Sequence, residues 1–129
     1  MANTLTVSYY GHDFKKIRAL LIAIARNLPI EWDFVYDGNP LDIIGENFVV
    51  TNIIIYDVST TSDSDCSRIF EFLLSTGVMG KSRVFANISG NKFAEKYCAV
   101  NHNVPYEIPF DEGTHYLLWY DMIRRLYSL

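Results

Sequence analysis

"NIIIYDVS", residues Asn52–Ser59, decides how the rest of the chain reads. Its β-branched and aromatic centre has no polar break, the composition of a central parallel strand buried on both faces. Outward toward the N-terminus, "GNP" (Gly38–Pro40) signals a turn before a short helical stretch over 41–49, and "EWDFVYD" (Glu31–Asp37) reads as a strand. Beyond that, "DFKKIRALLIAIARNL" sets Phe14, Ile17, Leu21, Ile24 and Leu28 at steps of three and four, an amphipathic helix with Asp13 as N-cap. A first strand, "TLTVSYY" (Thr4–Tyr10), precedes it.

Toward the C-terminus the same alternation continues. "TTSDSD" is a polar loop, a helix is expected over 64–79, and "SRVFANI" is a fourth strand. "NKFAEKYCAV" gives a short helix, "PYEIPF" a fifth strand, and "THYLLWYDMIRRLYSL" a closing helix from Thr114, with Arg124 and Arg125 near its end, where cations suit the helix dipole. Strand and helix alternating in this way predict an α/β fold with a doubly wound, mostly parallel sheet and right-handed crossovers. With 129 residues, 50% of them hydrophobic, residues 1–129 suffice for one domain and not for two.

The bulk charge excludes some functions. A net charge of -4, with eleven Lys and Arg in no basic run, lacks the clustered positive face that nucleic-acid binding needs. No stretch approaches the roughly 20 apolar residues of a membrane span, and "MANTLTVSYY" carries no leader pattern, so a cytoplasmic protein without membrane contact is expected. Cys66 and Cys98 stand far apart and away from the three histidines, so neither a disulfide framework nor a metal site is predicted.

In a doubly wound sheet, ligands bind beyond the carboxyl ends of the strands. That edge collects Tyr9, Tyr10, Gly11, His12 and Asp13 after the first strand, Asp37, Gly38 and Asn39 after the second, Asp57, Ser59, Thr60, Asp63 and Asp65 after the third, Asn87 and Ser89 after the fourth and Asp111 and Glu112 after the fifth, and it predicts a polar ligand site. Tyr10 and His12 are loop candidates for stacking and phosphate binding, although His12 reads equally as a surface histidine. Tyr9, Tyr10 and Trp119 read as stacking groups or as amphipathic core residues, with the core role favoured for Trp119. Asp65 reads as an acid or as a helix cap. Glu71 stands alone among apolar neighbours from Ile69 to Leu74. Either it is the solvent stripe of an amphipathic helix, or it is a partly desolvated carboxylate tuned by the helix N-terminus.

"IFEFLLSTGVMGKSRVFA" (Ile69–Ala86) resembles a segment of bacterial TIR-like nucleotide-binding proteins, in which an apolar helix carries a glutamate and is followed by a Gly-Lys break and a strand. "VSYYGHDFKKIRALL", "DGNPLDIIGENFVVTNIIIYDVS" and "EIPFDEGTHYLLWYDMIRRL" extend the resemblance over nearly the whole chain. The Asp-x5-Glu spacing of Asp65 and Glu71, followed by Gly80-Lys81, is also similar to the nucleoside 2-deoxyribosyltransferases. The resemblance implies a flavodoxin-like three-layer sandwich with a five-stranded, mostly parallel sheet. It further implies NAD as substrate rather than cofactor, Glu71 and Asp65 as catalytic acids on the N-glycosidic bond, and Tyr9, Tyr10, Gly11, His12, Asp37, Asp57, Ser59 and Lys81 as binding residues. Homo-oligomerisation, an activating protein partner and a role in antiviral defence come with it. A deoxyribosyltransferase or nucleotide N-glycosidase is the alternative within the same chemistry. From a different class, the strand order and Asp57 also suit a degenerate response-regulator receiver serving as an interaction module, since "YYGHD" offers only Asp13 where a receiver needs an acidic pair.

Overall fold

The structure, a computed structural model, describes residues 3–44, 48–76, 83–88, 90–100, 106–107 and 112–128. Ten elements alternate along the chain: strand β1 (Asn3–Tyr10), helix α1 (Phe14–Ala25), strand β2 (Ile30–Gly38), a single 3-10 turn (Pro40–Ile43), strand β3 (Ile53–Asp57), helix α2 (Asp63–Ser75), strand β4 (Arg83–Asn87), helix α3 (Lys92–Val100), strand β5 (Tyr106–Glu107) and helix α4 (Glu112–Leu126). The strands lie in the order β2-β1-β3-β4-β5, all parallel.

Among the described residues, four of the five strands have five or more residues. At the fifth position, expected from "PYEIPF", Tyr106 and Glu107 pair with β4, opposite Phe85 and Ala86, and the rest of that run lies outside the described residues. Of the short helix expected over 41–49, the described residues show the Pro40–Ile43 turn, which Pro40 opens, while 45–47 lie outside the described residues.

The central run behaves as its composition dictates. Ile53 and Ile55 face one side of the sheet, Ile54 and Tyr56 the other, and all four are fully buried. On the first side, Leu5, Val7, Tyr9 and Phe85 pack against Ile17, Leu20, Leu21 and Ile24 of α1 and against Trp119 and Ile123 of α4. On the second, Tyr10, Val84 and Ala86 pack against Cys66, Ile69, Phe70 and Leu73 of α2 and Ala94 of α3. Each fully buried aliphatic or aromatic side chain contributes about 1.5–3 kcal/mol. Helices cover the central strands on both faces and leave their ends open. This order is compatible with a flavodoxin-like arrangement.

The consecutive pair Tyr9 and Tyr10 follows from the same alternation. Neighbouring strand residues point to opposite faces, and because both faces are covered, both rings are buried, Tyr9 toward α1 and Tyr10 toward α2. One extra residue in β2, Val35, falls between the partners of Val7 and Ser8. Trp32 and Phe34 before this bulge pack on the α1 side, while Tyr36 after it packs on the α2 side.

Candidate functional site

A cleft of about 410 Å³ opens at the carboxyl edge of the sheet. It is lined by His12 from the loop after β1, by Asn39, Pro40, Leu41 and Asp42 after β2, and by Thr60, Thr61, Ser62 and Asp65 between β3 and α2. The chain runs outward from β1 to β2 and then returns to place β3 on the other side of β1. The cleft thus sits where the strand order reverses, the position at which open α/β sheets bind ligands.

Each wall has a local cause. The Gly11 N–H donates to the Gly38 carbonyl at 2.8 Å and ties the loops after β1 and β2 together. Gly11 is buried against the Tyr9 ring, where a Cβ would collide with the phenol and its hydroxyl. The Asp42 carboxylate accepts from the Asn39 N–H at 2.9 Å and from the Tyr36 hydroxyl at 3.1 Å through the same oxygen, Oδ2. Opposite, the Ser62 hydroxyl accepts from the Asp65 N–H at 3.3 Å and starts α2, so Ser62 holds the capping position considered for Asp65. Asp65, in the first turn, meets Arg68 at 3.4 Å.

The loop between β3 and α2 is held from below by Asn91. Its buried side-chain NH₂ donates to the carbonyls of Val58 at 2.6 Å and Thr61 at 3.1 Å, while its oxygen accepts from the Ala94 N–H at 3.0 Å and caps α3. At the start of that loop, Asp57 Oδ1 accepts from the Ser59 N–H at 2.9 Å and the Ser59 hydroxyl at 2.6 Å. Asp57 and Ser59 therefore shape the loop by bonding each other, and neither lines the cleft.

Of the residues singled out in the sequence, the structure brings His12, Asn39, Thr60 and Asp65 together in the cleft, with Gly11 next to His12 in the chain and bonded to Gly38. Asp37 is exposed at the end of β2, opposite Tyr9 in the register but outside the cleft lining. Lys81 lies outside the described residues. The stacking roles considered for Tyr9, Tyr10 and Trp119 are corrected, since their relative exposures are 1%, 0% and 0%. The Tyr9 hydroxyl accepts from the Asp13 N–H at 3.2 Å, and burial pushes its pKa up to about 12, with the Asp57 and Asp13 charges adding to the rise and the Asp13 and His12 N–H groups opposing it. The Tyr10 hydroxyl accepts from the Val49 N–H at 3.1 Å, and burial raises it too.

The expectation of a partly desolvated Glu71 is also corrected. Glu71 is exposed, because α2 buries the stripe Cys66, Ile69, Phe70 and Leu73 and turns Glu71 to solvent between Arg68 and Ser75. Its neighbour Phe72 meets Phe48 edge-on at 5.2 Å, and Phe48 stacks on Tyr10. Through these rings the segment after the 3-10 turn rests on α2 beside Glu71.

Sequence reading missed Pro40, Leu41, Asp42 and the hydroxyls of Thr61 and Ser62 as lining residues. Asn39 followed three residues later by Asp42 is a helix-start signal that fixes a carboxylate at this edge. Among the described residues, no group of three or more His, Cys, Asp or Glu side chains is arranged to hold a metal ion. No described helix is long and apolar enough to cross a membrane. Chemically, the cleft presents two carboxylates, an imidazole and three hydroxyls against the apolar Pro40 and Leu41, a set that accepts hydrogen bonds from vicinal hydroxyls and offers a flat wall to a ring. Searches against protein-family models and against curated proteins returned no match to the chain.

Proposed function

We propose that the chain is a TIR-like domain of flavodoxin-like build that binds a nucleotide in the switch-point cleft and breaks the N-glycosidic bond of NAD. The observation that carries this reading is the meeting of Asp42, Asp65, His12 and the loop hydroxyls in one cleft beside Pro40 and Leu41. A ribose offers its diol to carboxylates, and a base offers its face to an apolar wall.

Cleavage of the ribose-to-base bond passes through an oxocarbenium-like transition state, which a nearby carboxylate stabilises. In this proposal Glu71 supplies that carboxylate and Asp65 binds the ribose hydroxyls or acts as second acid. The cationic nicotinamide of NAD leaves with the bonding electron pair as a neutral base and needs little acid assistance, and water adds to the ribosyl carbon in its place, giving up a proton to solvent. Glu71 is exposed in the single subunit, so the active form is a homo-oligomer, or a complex with an activating partner, in which a second chain covers α2 and desolvates it.

The test is nicotinamide release from NAD as a function of protein concentration. Release that climbs more steeply than protein concentration and disappears in Glu71→Gln is expected; equal release from wild type and Glu71→Gln overturns the catalytic role. The exposure of Glu71 also favours a second reading, a binding module without catalysis, and that reading takes over if nucleotides bind but none is cleaved at any concentration.

A further inference from the structure

We infer that the cleft discriminates against phosphate, so that it takes a base-and-ribose portion of its ligand with the adjoining phosphate held outside, and binds nucleosides more tightly than their monophosphates. This rests on the reading of the cleft as a ribose site. The start of α2 opens onto the cleft, and a helix N-terminus ordinarily attracts phosphate through its unpaired N–H groups. Here that attraction is already taken up. Asp63 and Asp65 occupy the first turn, and the Ser62 hydroxyl accepts the Asp65 N–H.

Asp42 adds a second carboxylate to the lining, from the far wall. Among the described lining residues His12 alone can carry positive charge, and no Lys or Arg is present. Arg68 offsets Asp65 in part, but it stands outside the lining with its side chain 62% exposed. Ionised carboxylates only accept hydrogen bonds, so they match the hydroxyls of a ribose and repel the oxygens of a phosphate. A neutral or cationic nucleoside meets no such penalty.

The experiment compares dissociation constants of adenosine with adenosine monophosphate, and of nicotinamide riboside with nicotinamide mononucleotide, in about 10 mM and about 1 M salt, where charges are screened over roughly 30 Å and 3 Å. Wild-type protein is expected to bind each nucleoside at least about threefold more tightly than its monophosphate in low salt, with the ratio falling toward one in high salt. Asp65→Asn, with its fold checked by circular dichroism, is expected to narrow the low-salt ratio. Monophosphates that bind more tightly, and weaken as salt rises, overturn the inference and leave the ribose site standing. A ratio unchanged in a folded Asp65→Asn also overturns it. If none of the four ligands binds, the ribose reading of the cleft falls and this inference falls with it.

Discussion

The side-chain amide of Asn91 donates to the Val58 carbonyl at 2.6 Å, joining the N-cap of α3 to the loop that forms one wall of the cleft. Because the same NH₂ group also reaches the Thr61 carbonyl, a single buried side chain fixes both the loop and the helix start. Asn91→Ala leaves two carbonyls and one N–H without this partner. The Val58 carbonyl keeps the Thr61 N–H at 3.1 Å, so the Thr61 carbonyl and the Ala94 N–H carry the loss, and a cost of about 1–3 kcal/mol is expected in urea denaturation. A loss below about 1 kcal/mol would show that the loop is held by other means.

Gly11→Ala tests the loop that carries His12. Its Cβ meets the Tyr9 ring within a packed core, so ring and loop must shift, at a cost of about 1–3 kcal/mol. Thermal unfolding should register the loss, and ligand affinity should fall with it because His12 is the next residue. Unchanged stability and affinity would mean that the loop yields freely.

Tyr9 predicts an alkaline limb in the stability curve. Its pKa is about 12 in the folded chain and about 10 when unfolded, so above pH 10 the unfolded chain releases the phenolic proton while the folded chain retains it. The Tyr9 contribution is therefore fully present below pH 10 and lost as pH rises through 12, amounting to roughly 2 kcal/mol. Tyr9→Phe should flatten this limb while leaving the others, since Tyr10 and Tyr127 are also raised by burial. Identical slopes between pH 10 and 12 for wild type and Tyr9→Phe would contradict the assignment.

Trp119 tests the docking of α4. The indole is fully buried, 5.2 Å from the Phe85 ring and among α1 and β1 side chains. Trp119→Ala should cost about 3–5 kcal/mol in chemical denaturation. A cost under 1 kcal/mol would place α4 outside the cooperative core.

Periodicity and local signals made much of this fold legible. Asp13 caps α1 as its position implies, accepting from the Lys16 N–H at 3.2 Å, and Ile53–Tyr56 are buried on both faces as an unbroken apolar run requires. Glu71 misled because its neighbours in the chain are apolar, whereas its neighbours on the helix are not. Ser64, Arg68, Glu71 and Ser75 follow steps of four and three, and all four are exposed. The isolated glutamate of the linear sequence is thus part of a polar stripe. Tyr9 and Tyr10 were ambiguous for another reason: at the last residues of a strand, burial depends on how far the flanking helices reach, and that is set by tertiary packing. The cleft carboxylate Asp42 escaped notice because its place comes from a turn, where a capping pattern rather than hydrophobic spacing carries the information.

The central claim is that a ribose-bearing ligand occupies the switch-point cleft, and amide chemical-shift mapping tests it most directly. Nitrogen-labelled protein would be titrated in separate samples with NAD and with nicotinamide riboside. Saturable shifts concentrated at His12, Asn39–Asp42 and Thr60–Asp65, with little change at the α4 residues Asp121–Arg125, are the predicted result. Shifts that centre elsewhere, or no saturable shift with either ligand, would contradict it.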